Sequence, residues 1–156
     1  MNLGAVVLAD TAMWAGWSVT VGYAASRMPV DWLSCDHWVT RLRPWEQGGR
    51  RYEQFGVRRW KDRLPEAGAF FGGISKRTLP RHDRVGLSRF AADTRRAELV
   101  HWAIPAALPV FALWNPPALL AAMAAYALVA NAPCVIVQRY NRGRIERLLA
   151  STRTST

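Results

Sequence analysis

Asp93–Trp102 reads DTRRAELVHW and Gln138–Arg144 reads QRYNRGR, and residues 103–137 between them carry no charged side chain. An apolar run of that length is hard to bury in one soluble domain of 156 residues. A bilayer takes it readily, because about 20 residues of helix cross the hydrocarbon. The two arginine-rich clusters are therefore expected at one membrane face, where together they would form the functional site.

Within the run, Val100 to Trp114 is apolar, about 23 Å long as helix, and Asn115-Pro116-Pro117 interrupts it. Proline cannot continue the backbone ladder, and it biases the residue before it away from helix. Ala118 to Val137 then supplies a second apolar helix, so 100–114 and 118–137 are expected to form a hairpin with its tip at the NPP turn. The flanks carry +7 over 27–98 and +4 after Gln138. Basic flanks stay cytoplasmic, which puts both ends of the hairpin on that side, whether it crosses twice or is re-entrant.

Leu3 to Ala25 holds one charge, Asp10, and is expected to be a further transmembrane helix. A signal peptide is the competing assignment, with Ala24, Ala25 and Ser26 as a cleavage region. The missing basic n-region and the length of the run favour a retained helix. Asp10 lies near the end of that helix and reads as reaching the interface; deeper in the bilayer it would need a partner or a function. The resulting expectation is an all-α membrane protein, one domain over 1–156, with about three transmembrane helices and an external N-terminus. Amphipathic interfacial helices would lie between them, in the cell membrane.

The net charge of +10 and pI near 11.0 admit nucleic acid or an anionic membrane surface as partner. Tryptophans at 32, 38, 45 and 60 interleave with the basic residues of 27–98, beside long apolar blocks, which favours the membrane over nucleic acid. Trp32, Cys35, Val39 and Leu42 fall on one helical stripe, and Val57, Trp60 and Leu64 on a shorter one ended by Pro65. Basic helices with tryptophan on the apolar face lie in the headgroup plane or pack on each other. GAFFGGISKR at 68–77 offers a glycine-rich loop whose Lys76 and Arg77 would suit a phosphate, or whose Phe70 and Phe71 would dip into lipid. It is not a nucleotide-binding fingerprint. Cys35 and Cys134 fit no metal or redox spacing.

Ser88 is positioned to cap a helix beginning near Arg89. Along that helix Phe90, Thr94, Ala97, Glu98 and His101 share a face, with Arg95 and Arg96 flanking it. A hydroxyl, a carboxylate and an imidazole thus stand in a column where the chain enters the membrane.

TRRAELVHW at 94–102 and NAPCVIVQRYNRGR at 131–144 resemble the glycosyl-4,4'-diaponeurosporenoate acyltransferase family, which acts late in staphyloxanthin-type carotenoid synthesis. The likeness extends to Arg27-Met28-Pro29 and to Val57-Arg58-Arg59-Trp60-Lys61 and covers most of the chain. It implies a small membrane enzyme that esterifies a sugar hydroxyl of a glycosylated lipid with a fatty acyl group. By position it carries over Arg96, Glu98, His101, Asn131, Gln138, Arg139, Tyr140, Asn141, Arg142 and Arg144, with Trp60 and Lys61 from the upstream block. Gly143 departs from the family pattern, which has proline there, a change expected to loosen a turn after Arg142. The N-terminal third matches poorly apart from Arg-x-Pro.

Acyl transfer needs a base for the hydroxyl proton, donors for the oxyanion and a grip on the acyl donor. His101 is the expected base, since imidazole titrates near neutrality, with Glu98 one turn earlier to orient it. Asn141, Tyr140 or an arginine would serve the oxyanion. Arg139, Arg142 and Arg144 suit the phosphates of acyl-CoA or a phospholipid donor, because guanidinium pairs bidentately with phosphate. One Glu-x-x-His unit does not make a metal site, so no metal is expected, and no cofactor beyond the activated donor. The expected partners are membrane lipids, a lipid-linked sugar acceptor and the acyl donor, with self-association open. The rival from another class is a non-catalytic scaffold or lipid-binding subunit of an envelope or lipid-synthesis complex. It would read the same arginines as membrane anchors.

Overall fold

The computed structural model describes residues 2–64 and 83–151, and these residues are helical or irregular, with no strand among them. Helix α1 spans Leu3–Ser26, opened by Asn2, whose side chain accepts from the Ala5 N–H at 2.8 Å. A short α2, Val30–Ser34, follows, and then 3-10 turns over Pro44–Phe55, kinked at Gln47, Gly48 and Gly49, lead into α3, Val57–Trp60. Helix α4 is Arg84–Ala103, α5 is Leu108–Phe111 and α6 is Pro117–Ser151.

The long helices α4 and α6 form the frame, antiparallel and in contact over most of their lengths. Leu87, Phe90 and Ala91 of α4 meet Ile145 and Leu149 of α6 at one end. Further along, Glu98 meets Arg139 and Arg142, and His101 meets Asn131. Helix α1 runs against α4 in the opposite sense: Trp17 Nε1 donates to the Ala103 carbonyl at 3.0 Å, while Asp10 reaches the far turn. The NPP turn closes the pair, as the prolines require.

Several expectations need correction. Helix α4 begins at Arg84, not near Arg89, because Asp83 caps it and accepts from the Gly86 N–H at 2.8 Å. The 100–114 segment is not one helix. It divides at Ala103 into a 3-10 turn, Pro105–Ala107, and α5, because Pro105 and Pro109 remove backbone donors that a continuous helix needs. Helix α6 does not stop at Val137 with a tail beyond. It runs on to Ser151 and keeps Pro133 inside. Gly143 lies in the interior of that helix, so no turn follows Arg142 for it to loosen.

The stripe Trp32, Cys35, Val39, Leu42 is not a helix face, since α2 ends at Ser34 and Cys35 is extended. His37 explains this locally: its Nε2 pairs with the Trp32 carbonyl at 2.8 Å and its ring stacks on Trp32. Such side-chain bonds compete with the helix ladder. Leu33, not Trp32, is the buried residue there. The second stripe does share a face, with Val57 buried against Tyr52, Val137 and Tyr140, and Trp60 and Leu64 beside it. The glycine-rich stretch at 68–77, with Phe70, Phe71, Lys76 and Arg77, lies outside the described residues.

One helix among the described residues, α6, is long and apolar enough to cross a membrane. From Pro117 to Val137 it rises about 30 Å, the thickness of a hydrocarbon core. Much of that stretch points outward, as at Leu128 and Val129. Helix α1, diluted by Asp10, threonines and glycines, does not meet the same criterion of apolarity. Of the three crossings expected, one is matched by a helix that meets this criterion among the described residues.

Candidate functional site

Where the apolar half of α6 gives way to its polar half, the fold buries charge. Glu46 and Glu98 are fully buried, and Arg139 and Arg142 nearly or fully so. Arg139 grips Glu46 bidentately, Nε to Oε1 at 2.7 Å and Nη2 to Oε2 at 2.8 Å, while its Nη1 pairs with Glu98. Arg142 Nη2 lies 2.7 Å from the other Glu98 oxygen. Two carboxylates and two guanidiniums therefore balance. The backbone adds carbonyls of Val39 and Arg41 for Arg139, and of Thr40 for Arg142.

The loop that delivers Glu46 is built for close approach. Pro44 starts the 3-10 segment, and Glu46 folds back to accept the Arg43 N–H, with Tyr52 donating to its other oxygen. Gln47, Gly48 and Gly49 then take φ of 52°, 60° and 88°. That left-handed run lays backbone directly on α6. A Cβ at Gly143 would come 2.2 Å from the Gly48 carbonyl oxygen, so glycine is required where the two backbones touch.

Burial is the largest influence on the Glu46 carboxyl and pushes it up. Hydrogen bonds from Arg139, the Arg43 N–H and Tyr52, with the Arg139 charge, outweigh burial and hold it below its ordinary value. Tyr52 is pushed well above the usual phenol range by burial and by its bond to Glu46. Glu46 is thus ionised and Tyr52 neutral across the physiological range.

His101 stands one turn beyond Glu98, at the apolar edge of this cluster. Its Nδ1 lies 2.9 Å from Asn131 Oδ1, and Asn131 Nδ2 donates to the Ala127 carbonyl at 2.8 Å. The second bond settles the amide's orientation, so the oxygen faces the imidazole and Nδ1 carries the proton. A neutral ring in that tautomer has its lone pair on Nε2. The orienting place expected for Glu98 is taken by Asn131. The Glu98 carboxylate goes to the arginines and accepts from Trp102 Nε1 at 3.3 Å.

The remaining sequence-derived residues divide. Gln138 and Tyr140 are buried on α6, and Tyr140 accepts from Arg58 Nε at 3.2 Å. Asn141 is half-buried and Arg144 exposed on the same helix. Arg96 is paired with Asp93. Trp60 packs beside the cluster that holds Tyr140 and its Nε1 donates to the Phe55 carbonyl, while Lys61 pairs with Asp62. Arg139 and Arg142, expected to face a donor phosphate, point inward onto carboxylates. Sequence reasoning missed Glu46 and Tyr52, and it placed Arg95 beside the column without its partners: Arg95 Nη2 bridges Asp36 at 2.6 Å and Glu146 at 2.9 Å. Only Glu46 left a local sign: Arg-Pro-Trp-Glu places proline first and glutamate third in a turn, the pattern of a capped start.

A model of the glycosyl-4,4'-diaponeurosporenoate acyltransferase family matches residues 36–151, which include every residue of the buried quartet and the His101–Asn131 pair. A protein of that name from Staphylococcus aureus (strain bovine RF122 / ET3-1) is 30% identical over 139 residues, covering 87% of this chain and 83% of the relative. Another from Staphylococcus haemolyticus (strain JCSC1435) is 30% identical over 148 residues, 94% of this chain and 84% of its own. No solved structure matches the chain.

Proposed function

The chain belongs to the glycosyl-4,4'-diaponeurosporenoate acyltransferase family, and from that premise we propose that it is a membrane enzyme esterifying a sugar hydroxyl of a glycosylated, carotenoid-like lipid. The observation that carries the reading is the His101–Asn131 pair, which fixes an imidazole at the level where α6 turns from apolar to charged. A lipid-borne sugar presents its hydroxyl at that level.

In the proposed step His101 Nε2 takes the hydroxyl proton as the sugar oxygen bonds to the acyl carbonyl carbon. The bond from that carbon to the donor's leaving atom breaks, and His101 returns the proton to the leaving group. Asn131 holds the tautomer. Glu98, fixed by Arg139 and Arg142, orders the turn that carries His101 and keeps the ion cluster neutral beneath it. Asn141 and Arg144, with Arg96, supply the donor-facing polar groups, and Gln138, Tyr140, Trp60 and Lys61 frame them. The donor is an activated acyl compound such as acyl-CoA, with no further cofactor or metal. Helix α1 and the segment from His101 to Asn115 insert beside α6, with the N-terminus outside and the basic segments cytoplasmic.

The test is His101→Ala, scored by mass spectrometry of the esterified glycolipid in membranes from cells supplied with the acceptor. A loss of about 10²–10⁴-fold is expected of a missing general base, at unchanged protein level and membrane insertion. Full activity would remove His101 from the chemistry. Lost insertion would return the cluster to a structural role.

A further inference from the structure

We propose that residues 44–64 form a docking surface for anionic phospholipid headgroups, an inference that rests on α6 spanning the bilayer and not on the acyl-transfer chemistry. The position comes from packing. Val57, Trp60 and Leu64 lie with Val137 and Ile136, the last residues of the apolar half of α6. The segment is therefore held at the depth where hydrocarbon yields to headgroups.

The charge follows from asking where each acid of the segment goes. Glu46 is consumed inside by Arg139. Glu53 lies 3.7 Å from Arg58, and Asp62 lies 2.6 Å from Lys61. Arg50, Arg51, Arg59 and Arg63 remain, exposed and without an ion pair among the described residues. Exposed apolar rings stand among them: Trp45 at 58% and Phe55 at 66%. In water such rings are a cost. At a membrane interface tryptophan and phenylalanine bury their faces while guanidinium reaches phosphate. Each basic residue near an anionic leaflet strengthens association by about fivefold.

The experiment uses the full chain in nanodiscs of phosphatidylcholine doped with phosphatidylglycerol, with bromine on the acyl chains of one lipid or the other. Subtracting the fluorescence of Trp45→Phe isolates the Trp45 signal. At equal mole fraction, brominated phosphatidylglycerol should quench Trp45 more than brominated phosphatidylcholine, and the excess should fall at high salt. The combined variant R50Q/R51Q/R59Q/R63Q should lower the preference about tenfold or more. The pair R50Q/R51Q gives the smaller shift should the fourfold variant fail to insert. Equal quenching by both lipids, no quenching by either, or a preference that survives the glutamines would overturn the proposal.

Discussion

The two ends of the α4–α6 pair satisfy a carboxylate by opposite means, fully buried at one end and half-buried at the other. At one end Glu46 and Glu98 are matched charge for charge by Arg139 and Arg142. At the other, Asp10 accepts only from neutral groups among the described residues, Trp114 Nε1 at 2.8 Å and Asn115 Nδ2 at 2.9 Å. The surfaces invert as well. Around the NPP turn the exposed side chains are apolar, Leu113 most of all, while at the charged end the core itself holds glutamate and arginine. The apolar half is held by ring contacts such as Trp14–Phe111 at 5.0 Å and by a few hydrogen bonds. The charged half is held by an ionic clamp whose members depend on one another.

That contrast makes Arg139→Met the most damaging single change. It leaves Glu46 and Glu98 buried with half their positive charge gone, and breaking a buried pair from one side costs about 3–5 kcal/mol. Unfolding in mixed micelles should register a loss in that range. Arg139→Lys should recover part of it, since one ammonium cannot hold both oxygens of Glu46 and also reach Glu98. A loss below about 1 kcal/mol would mean the cluster is wet, as exposed pairs are, and the contrast between the two ends would dissolve.

Gly143→Ala comes next. Its Cβ would meet Gly48 carbonyl oxygen at 2.2 Å and Gly49 nitrogen at 2.8 Å, both backbone atoms that cannot rotate away. Overpacking of this kind costs about 1–3 kcal/mol. The loop bearing Glu46 must shift, so the alanine variant should also show a shallower acid-induced drop in stability than the parent, the drop described below. Thermal unfolding indistinguishable from the parent would show that the 47–49 turn is not seated on α6.

How far the sequence led can be read from these residues. Helical spacing was enough to place Glu98 and His101 on one turn, and the bracket of arginine clusters brought α4 against α6. Periodicity reports one element at a time. It has no means of showing that Glu46, 93 residues from Arg139, closes the clamp. Sequence alone assigns the arginines to phosphate because guanidinium chemistry is the same whether the oxygen is a substrate's or the protein's own. The 100–114 helix failed at Pro105 and Pro109, where local chemistry outweighed apolar continuity. Helix α6 passed Val137 because Arg, Glu and Leu there are good helix formers with a partner in α4.

Acid probes the charged end by a third route. The carboxyl of Glu46 sits below its ordinary value in the fold. It therefore contributes stability that is fully present above the unfolded carboxylate range, and this is lost as pH falls through the folded value. Unfolding midpoints should hold steady from neutrality to about pH 5 and drop below the ordinary range of glutamate. Glu46→Gln should flatten that drop while lowering stability at neutral pH. An unchanged acid limb in Glu46→Gln would assign the sensitivity to other groups.

The smallest effect is expected at the far turn. Asp10→Asn keeps an oxygen for Trp114 Nε1 and Asn115 Nδ2 but removes the charge that strengthens both bonds. Removing that charge also relieves the cost of holding an anion partly away from water, which no cation nearby offsets among the described residues. The two changes oppose, so stability should move by no more than about 1 kcal/mol in either direction, with esterification unaltered. A collapse on the scale of Arg139→Met would mean that the Asp10 charge itself is held by a counterion from outside the described residues. The two ends would then differ in where their cations come from, and no longer in whether they need them.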